Sequence, residues 1–366
     1  MKLPWLKDAL DRSGPFTSVH LDTTRTDPQS AAELETRWGQ MRSTLAAEGA
    51  PEALLERIEE SVLEPSPIGG RHGRFVLTTD EDVLIDRVLP VPPLEESAHR
   101  GEHPRLLPLL QLTPFAIRQL LIIVDRAGAD LHLRAPENPS ISQGPNGLGE
   151  DSTVEGGHDE LHKANLGGGS QHCWRANNYE ARVEDSWERN AGAVAETVDR
   201  LVREHAPDMV LLSGDVRAIG LFKDALGHEA RELLIEVPGG TRGVALERES
   251  FREEVARASR EFIDRCQLEL RERLTEGRAR DGAAVGGTAA VSQALERGQV
   301  EELLFVTGQE PEGIESLLRQ ALATDAGISA LENDVHGGNG SAEARPGSLP
   351  EGVGALLRWP DESTPS

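Results

Sequence analysis

Cysteine and lysine are scarce in this chain, and long apolar runs are missing altogether. The two cysteines, Cys173 and Cys266, sit in unrelated contexts and offer no disulfide framework, which agrees with a reducing compartment. Lysine occurs only at Lys2, Lys7, Lys163 and Lys223, so arginine carries nearly all of the positive charge. That bias runs the whole length of the chain and reflects genomic base composition rather than one functional face. No stretch approaches the ~18 consecutive apolar residues of a membrane span, and the opening MKLPWLKDALDRSG is charged where a secretory signal needs its apolar region. A cytoplasmic protein without membrane association is expected. A basic excess is lacking too: the formal net charge is −25. So negative a surface repels phosphates and forgoes the counterion release that drives general nucleic-acid binding, so any such contact must be local.

With 37% hydrophobic and 28% charged residues the chain has the material for globular cores, and 366 residues suggest two or three domains. Three segments are expected. The first (1–115) has a strand over FTSVHLD, a helix through Leu34, Trp38, Met41 and Leu45, a second helix from Pro51, and two β runs in GRFVLTTDEDVLIDRVL; the polar LEESAHRGEHP after them reads as a loop. The second (116–243) opens with a hairpin over 118–135, followed by a long flexible loop over 136–160. A helix then runs through Trp187, Ala191, Val194, Val198 and Leu201, with strands at DMVLLSGD and RELLIEV, before VPGGTRG breaks the chain as a hinge. In the third (244–366), a long helix through Phe251, Val255, Phe262 and Cys266 leads into helix, strand, helix and strand. The insertion NDVHGGNGSAEARPGSLPEG and the tail PDESTPS read as unordered.

The stretch LGGGSQHCWR (166–175) stands out against this acidic background. Over 161–182 the charges are Lys163, Arg175 and Arg182 against Glu180, a local net of +2, with His162 and His172 in addition. Gly167, Gly168 and Gly169 let backbone amides approach phosphates or bases without Cβ obstruction, and Ser170 and Gln171 can hydrogen-bond base edges or ribose hydroxyls. Trp174 offers a stacking surface. A solvated glycine loop without a partner has the same composition, and residue chemistry alone leaves both readings open.

GGGSQHCWRANNYEARVEDSWERNAGAVAETV (167–198) resembles the central domain of the archaeal and eukaryotic class-one peptide release factors and Pelota. GTAAVSQALERGQVEELLF (287–305) and GVGALLRW (352–359) are similar to the C-terminal domain of the same superfamily. With HDELHK before the loop, the pattern is most like its bacterial, actinobacterial-type branch, which includes the Balon-like ribosome hibernation factors. The likeness runs in order from about 116 to 360. It implies an α/β fold of three domains, with an RNase H-like central domain and an α-β-α sandwich at the C-terminus. It further implies a ribosome-bound factor, with rRNA of the A site and peptidyl-transferase centre contacted through His162, Lys163, Gly167, Gly168, Gly169, Ser170, Gln171 and Arg175. Elongation factor Tu is a further implied partner; no cofactor is. Release factors that hydrolyse peptidyl-tRNA carry Gly-Gly-Gln, whereas here Ser170 stands between Gly169 and Gln171. One inserted residue displaces a side chain by up to ~3.5 Å, more than positioned catalysis tolerates. A binding protein active in ribosome hibernation is therefore expected, with peptidyl-tRNA hydrolysis through Gln171 as the alternative.

Other constellations are weaker. His158 and His162 have the i, i+4 spacing of a zinc pair, which would make a metal-dependent hydrolase, but Gly156 and Gly157 oppose a helix there and the glutamate is misplaced for His-Glu-x-x-His. No metal is expected. Cys173 beside His172 lacks an orienting group, and VPGGTRG lacks the lysine and spacing of a nucleotide loop.

Overall fold

The computed structural model describes residues 2–12, 14–25, 28–65, 71–89, 91–135, 143–144, 147–155, 173–280, 282–333 and 349–360. By packing, the described chain forms two compact units: residues 1–116 together with 263–366, and residues 117–262.

The N-terminal part of the first unit comprises α1 (Pro4–Leu10), β1 (Phe16–Asp22), α2 (Pro28–Ala47), α3 (Glu52–Leu63), β2 (Gly73–Thr78), β3 (Val83–Leu89), β4 (Ser97–Gly101) and α4 (Leu107–Leu110). Its four strands form an antiparallel sheet in the order β3-β2-β1-β4. Side chains alternate across it as strand geometry requires. Val19, Leu21 and Val76 meet Leu34, Trp38, Leu45, Leu54, Leu55 and Ile58 of α2 and α3. Phe16, Phe75 and Leu77 point to the opposite face. The expected loop after residue 93 contains strand β4. Its SAHRG sequence has no apolar alternation, and the strand arises because β1 has an edge to pair, Phe16 to His20 facing Gly101 to Ser97.

The second unit holds β5 (Gln119–Val124), β6 (Gly128–Arg134), β7 (Gln143–Gly144), β8 (Gly147–Glu155), α5 (Cys173–His205), β9 (Met209–Gly214), α6 (Val216–Ala225), α7 (His228–Glu232), β10 (Leu234–Glu236) and the first half of α8 (Glu249–Arg280). The sheet order is β10-β9-β5-β6-β8-β7, with β5, β9 and β10 parallel and β6 antiparallel to both of its neighbours. This is an RNase H-like arrangement. One face packs Leu120, Ile122, Leu131 and Leu133 on Val194, Val198 and Val202 of α5 and Phe222 of α6. The other packs Leu121, Ile123 and Leu211 on Phe251, Val255 and Ala258 of α8. The flexible loop expected over 136–160 is corrected in its second half: β8 pairs with β6 from Gly128↔Glu155 to Arg134↔Gly149. GLGEDSTVE carries no apolar pattern because a strand so near the sheet edge needs none to satisfy its backbone.

The C-terminal part of the first unit adds the second half of α8, then β11 (Ala284–Gly286), α9 (Thr288–Glu296), β12 (Val300–Val306), α10 (Ile314–Ala323), β13 (Gly327–Leu331) and β14 (Val353–Leu357). The sheet order is β11-β14-β12-β13. Leu303 and Phe305 face α9 and α10, while Leu304 and Val306 face Leu274 of α8, which makes an α-β-α sandwich. The short β11 and the GISAL strand β13 were not expected.

The two parts of this unit share one core, in which Leu6, Phe75, Leu77, Leu106 and Leu110 pack with Val291, Leu295, Leu318 and Phe305. Polar ties reinforce it. The Glu315 carboxylate accepts from the Leu106 and Leu107 amides at 3.0 Å, Thr113 Oγ1 accepts from Ala330 N at 2.8 Å, and Lys7 pairs with Asp325 at 2.8 Å.

Candidate functional site

The glycine run belongs to the connection between β8, whose last residue is Glu155, and α5, whose first is Cys173. His158, His162, Lys163, Gly167, Gly168, Gly169, Ser170 and Gln171 lie outside the described residues. Arg175 falls in the first turn of α5. What the structure does define is the pair of supports from which this connection departs and to which it returns.

The departing support is held by an arginine that sequence reasoning assigned only to a hinge. Arg242, in VPGGTRG, donates through Nε to Asp130 Oδ1 at 3.1 Å and through Nη1 to Asp125 Oδ1 at 3.2 Å, while Nη2 pairs with the Glu155 carboxylate. The Gly243 amide donates to the second Asp130 oxygen at 2.7 Å. One guanidinium thus ties the end of β5, the start of β6 and the last residue of β8. Its side chain is only 13% exposed. Burial works against its charge, yet the hydrogen bonds to Glu155 and Asp130 and the charge of Asp125 raise its pKa, so it stays protonated at any ordinary pH. Three carboxylates converging at one sheet end would suit a divalent cation, but here a guanidinium fills that place. Among the described residues no group of three His, Cys, Asp or Glu is arranged to hold a metal ion.

Close backbone approach completes this corner. A Cβ on Gly128 would lie 2.0 Å from Val154 O, so β6 and β8 can meet there only through glycine. Asp125 Oδ1 also accepts from the Ala127 and Gly128 amides at 2.8 Å, fixing the β5–β6 turn. At the opposite end of β5, Arg118 grips Asp208 through Nε at 3.2 Å and Nη2 at 2.8 Å.

The returning support is α5, 33 residues long. Val194, Ala195, Val198 and Val202 seat its C-terminal half on the sheet, and the Asn190 amide donates to Arg126 O at 3.0 Å. The connection is therefore strung between a charge-clamped strand and a core-anchored helix. Arg242 was invisible in the sequence because its partners lie up to 117 residues away. The only local signal was a lone arginine among glycines.

The second unit is thus RNase H-like, with the glycine run falling in sequence between β8 and α5, and the C-terminal part of the first unit is an α-β-α sandwich. Residues 118–280 match the bacterial archaeo-eukaryotic release factor family 2. Over that segment the chain is similar to the release factor and Pelota superfamily. An uncharacterized protein of Mycobacterium tuberculosis is 27% identical over 380 residues, covering 98% of this chain and 96% of the relative. A Pelota homologue of Pyrobaculum islandicum is 30% identical over 185 residues, 49% of this chain and 51% of the homologue. Among solved structures, Saccharomyces cerevisiae Dom34, a translation termination-like factor, shares 11% identity over 80% of this chain and 82% of its own, with a TM-score of 0.41.

Proposed function

We propose that this protein is a cytoplasmic ribosome-binding factor that occupies the A site and directs Gly167, Gly168 and Gly169 toward the peptidyl-transferase centre, protecting idle ribosomes instead of releasing peptide. The observation that carries the reading is the family match over residues 118–280, the stretch that contains the glycine run. In a protein of net charge −25 that run sits in a local patch of +2, so phosphate attraction is concentrated there. In this reading His162, Lys163, Ser170, Gln171 and Arg175 contact rRNA, the glycines allow close backbone approach, and elongation factor Tu is met by the C-terminal segment. Ser170 in place of the expected glutamine argues against hydrolysis, since a shift of ~3.5 Å misplaces any water-activating group.

Co-sedimentation with ribosomes from starved and from growing cells tests the reading, with binding expected in both and more protein on starved ribosomes. Gly168→Val with Gly169→Val should abolish loop insertion, since β-branched side chains collide with RNA and exclude positive φ. Lys163→Ala with Arg175→Ala should weaken binding by roughly 1 to 3 kcal/mol. A puromycin-like assay should show no peptide release. Release by the wild type that is lost in Gln171→Ala would establish a hydrolase instead.

A further inference from the structure

A second cationic feature of the central unit lies outside the glycine run. Trp187 is half-buried on α5, and two exposed arginines lie over its indole: the guanidinium carbon of Arg126 at 4.5 Å from the ring centroid and that of Arg217 at 5.3 Å. Arg126 comes from the β5–β6 turn and Arg217 from the first turn of α6, so three elements converge. They meet beyond the carboxyl ends of the parallel strands β5 and β9, where open α/β sheets bind their ligands.

Of the neighbouring acids, Asp215 is shared between the cap of α6 and Arg126, and Asp125 between the β5–β6 turn and Arg242. Asp215 caps α6, accepting from the Arg217 and Ala218 amides at 3.0 and 3.1 Å, and its other oxygen stands 3.7 Å from Arg126. Asp125 is held by Arg242. Beside them Val216 is 88% exposed. Guanidinium planes resting on an indole are pre-oriented, so their N–H edges meet an anion with little loss of side-chain freedom. The two charges lie within ~10 Å of each other, about one Debye length at moderate salt, and attract an anion together.

From this geometry we propose that Arg126, Arg217 and Trp187 form a second RNA-contact surface, which takes consecutive phosphates of a single-stranded segment while Val216 packs on sugar or base. The surface is open, which fits a strand better than a small phosphate that needs enclosure. It sits ~21 Å along α5 from Cys173, the first residue of that helix, at 1.5 Å per residue. That this RNA is ribosomal rests on the function proposed above; the surface itself does not.

The test uses the full chain and a fluorescein-labelled oligouridylate, with anisotropy followed across a salt series. Arg126→Gln with Arg217→Gln should raise the Kd at least tenfold at low salt and reduce the slope of log Kd against log salt by about 1.4, the share of two phosphates on a single strand. Arg126→Lys with Arg217→Lys should keep most of that slope yet bind more weakly than wild type, because lysine does not stack. Unchanged affinity and slope in the glutamine pair, at an unchanged thermal midpoint, would overturn the proposal. Equal competition by polyglutamate would replace RNA with an acidic protein as the ligand. Ribosome sedimentation separates the two readings. Wild type that binds the oligonucleotide but no ribosomes sinks the proposed function alone, ribosome binding indifferent to the glutamine pair sinks this surface alone, and wild type that binds neither sinks both.

Discussion

His20 is fully buried in the middle of β1, its ring stacked on Phe75 at 4.7 Å and its Nδ1 3.3 Å from Ser97 Oγ. Its Nε2 has no partner among the described residues. Burial, followed by the positive charge of Arg105, lowers its pKa from 6.5 to about 3. The ring is neutral in the folded protein, whereas the unfolded chain takes up a proton below pH 6.5. Stability is therefore complete above that value and falls between pH 6.5 and 3, by ~1.4 kcal/mol per pH unit. Urea unfolding at pH 7 and pH 5 should differ by roughly 2 kcal/mol more in wild type than in His20→Gln, which carries no titrating group. Arg242 makes a different prediction. Arg242→Ala leaves Asp125, Asp130 and Glu155 facing one another, a loss of about 2 to 3 kcal/mol in urea unfolding. That is below the 3 to 5 kcal/mol of a fully buried pair because Glu155 and Asp125 keep part of their hydration. Arg242→Lys should recover only part of it, since one ammonium does not span three carboxylates.

At the scale of the element, β8 depends on the backbone of its neighbour. Gly128→Ala places a Cβ against Val154 O, so the β6–β8 ladder should open from that end. Amide exchange should then accelerate over 150–155 while β5 and β9 keep their protection; equal protection in the variant would mean that β8 stands without the close contact. Such strands also mark where sequence reading stops. The helices α2 and α3, the β5–β6 hairpin and β9 were legible because a buried face imposes a 3.6- or 2-residue apolar period. β4 and β8 were not, because strands at or next to a sheet edge are recruited by a partner's free hydrogen bonds and can be polar along their length. For the site, the glycine run and its basic flanks could be read locally. The Arg242 clamp and the Trp187 cluster could not, since each is assembled from residues far apart in sequence that meet only once the sheet has formed.

At the scale of the whole molecule, the two ends of the sequence complete each other's interior. Phe75 and Leu77 lie in a core that includes residues of α1 and α4 as well as α9, α10 and β12. Residues 1–116 and 263–366 expressed separately should each lack a cooperative thermal transition and gain one when mixed, whereas 117–262 should unfold cooperatively alone. A cooperative transition in isolated 1–116 would show that the shared core is dispensable. The same arrangement governs how the chain is made. The first segment leaves the synthesising ribosome long before β14 at 353–357. At ~5 to 20 residues per second, this leaves the shared core incomplete for roughly ten to fifty seconds. For that interval Phe16, Phe75 and Leu77 lack the part of their core supplied by α9, α10 and β12, so the nascent first segment should be more prone to aggregation than the finished chain.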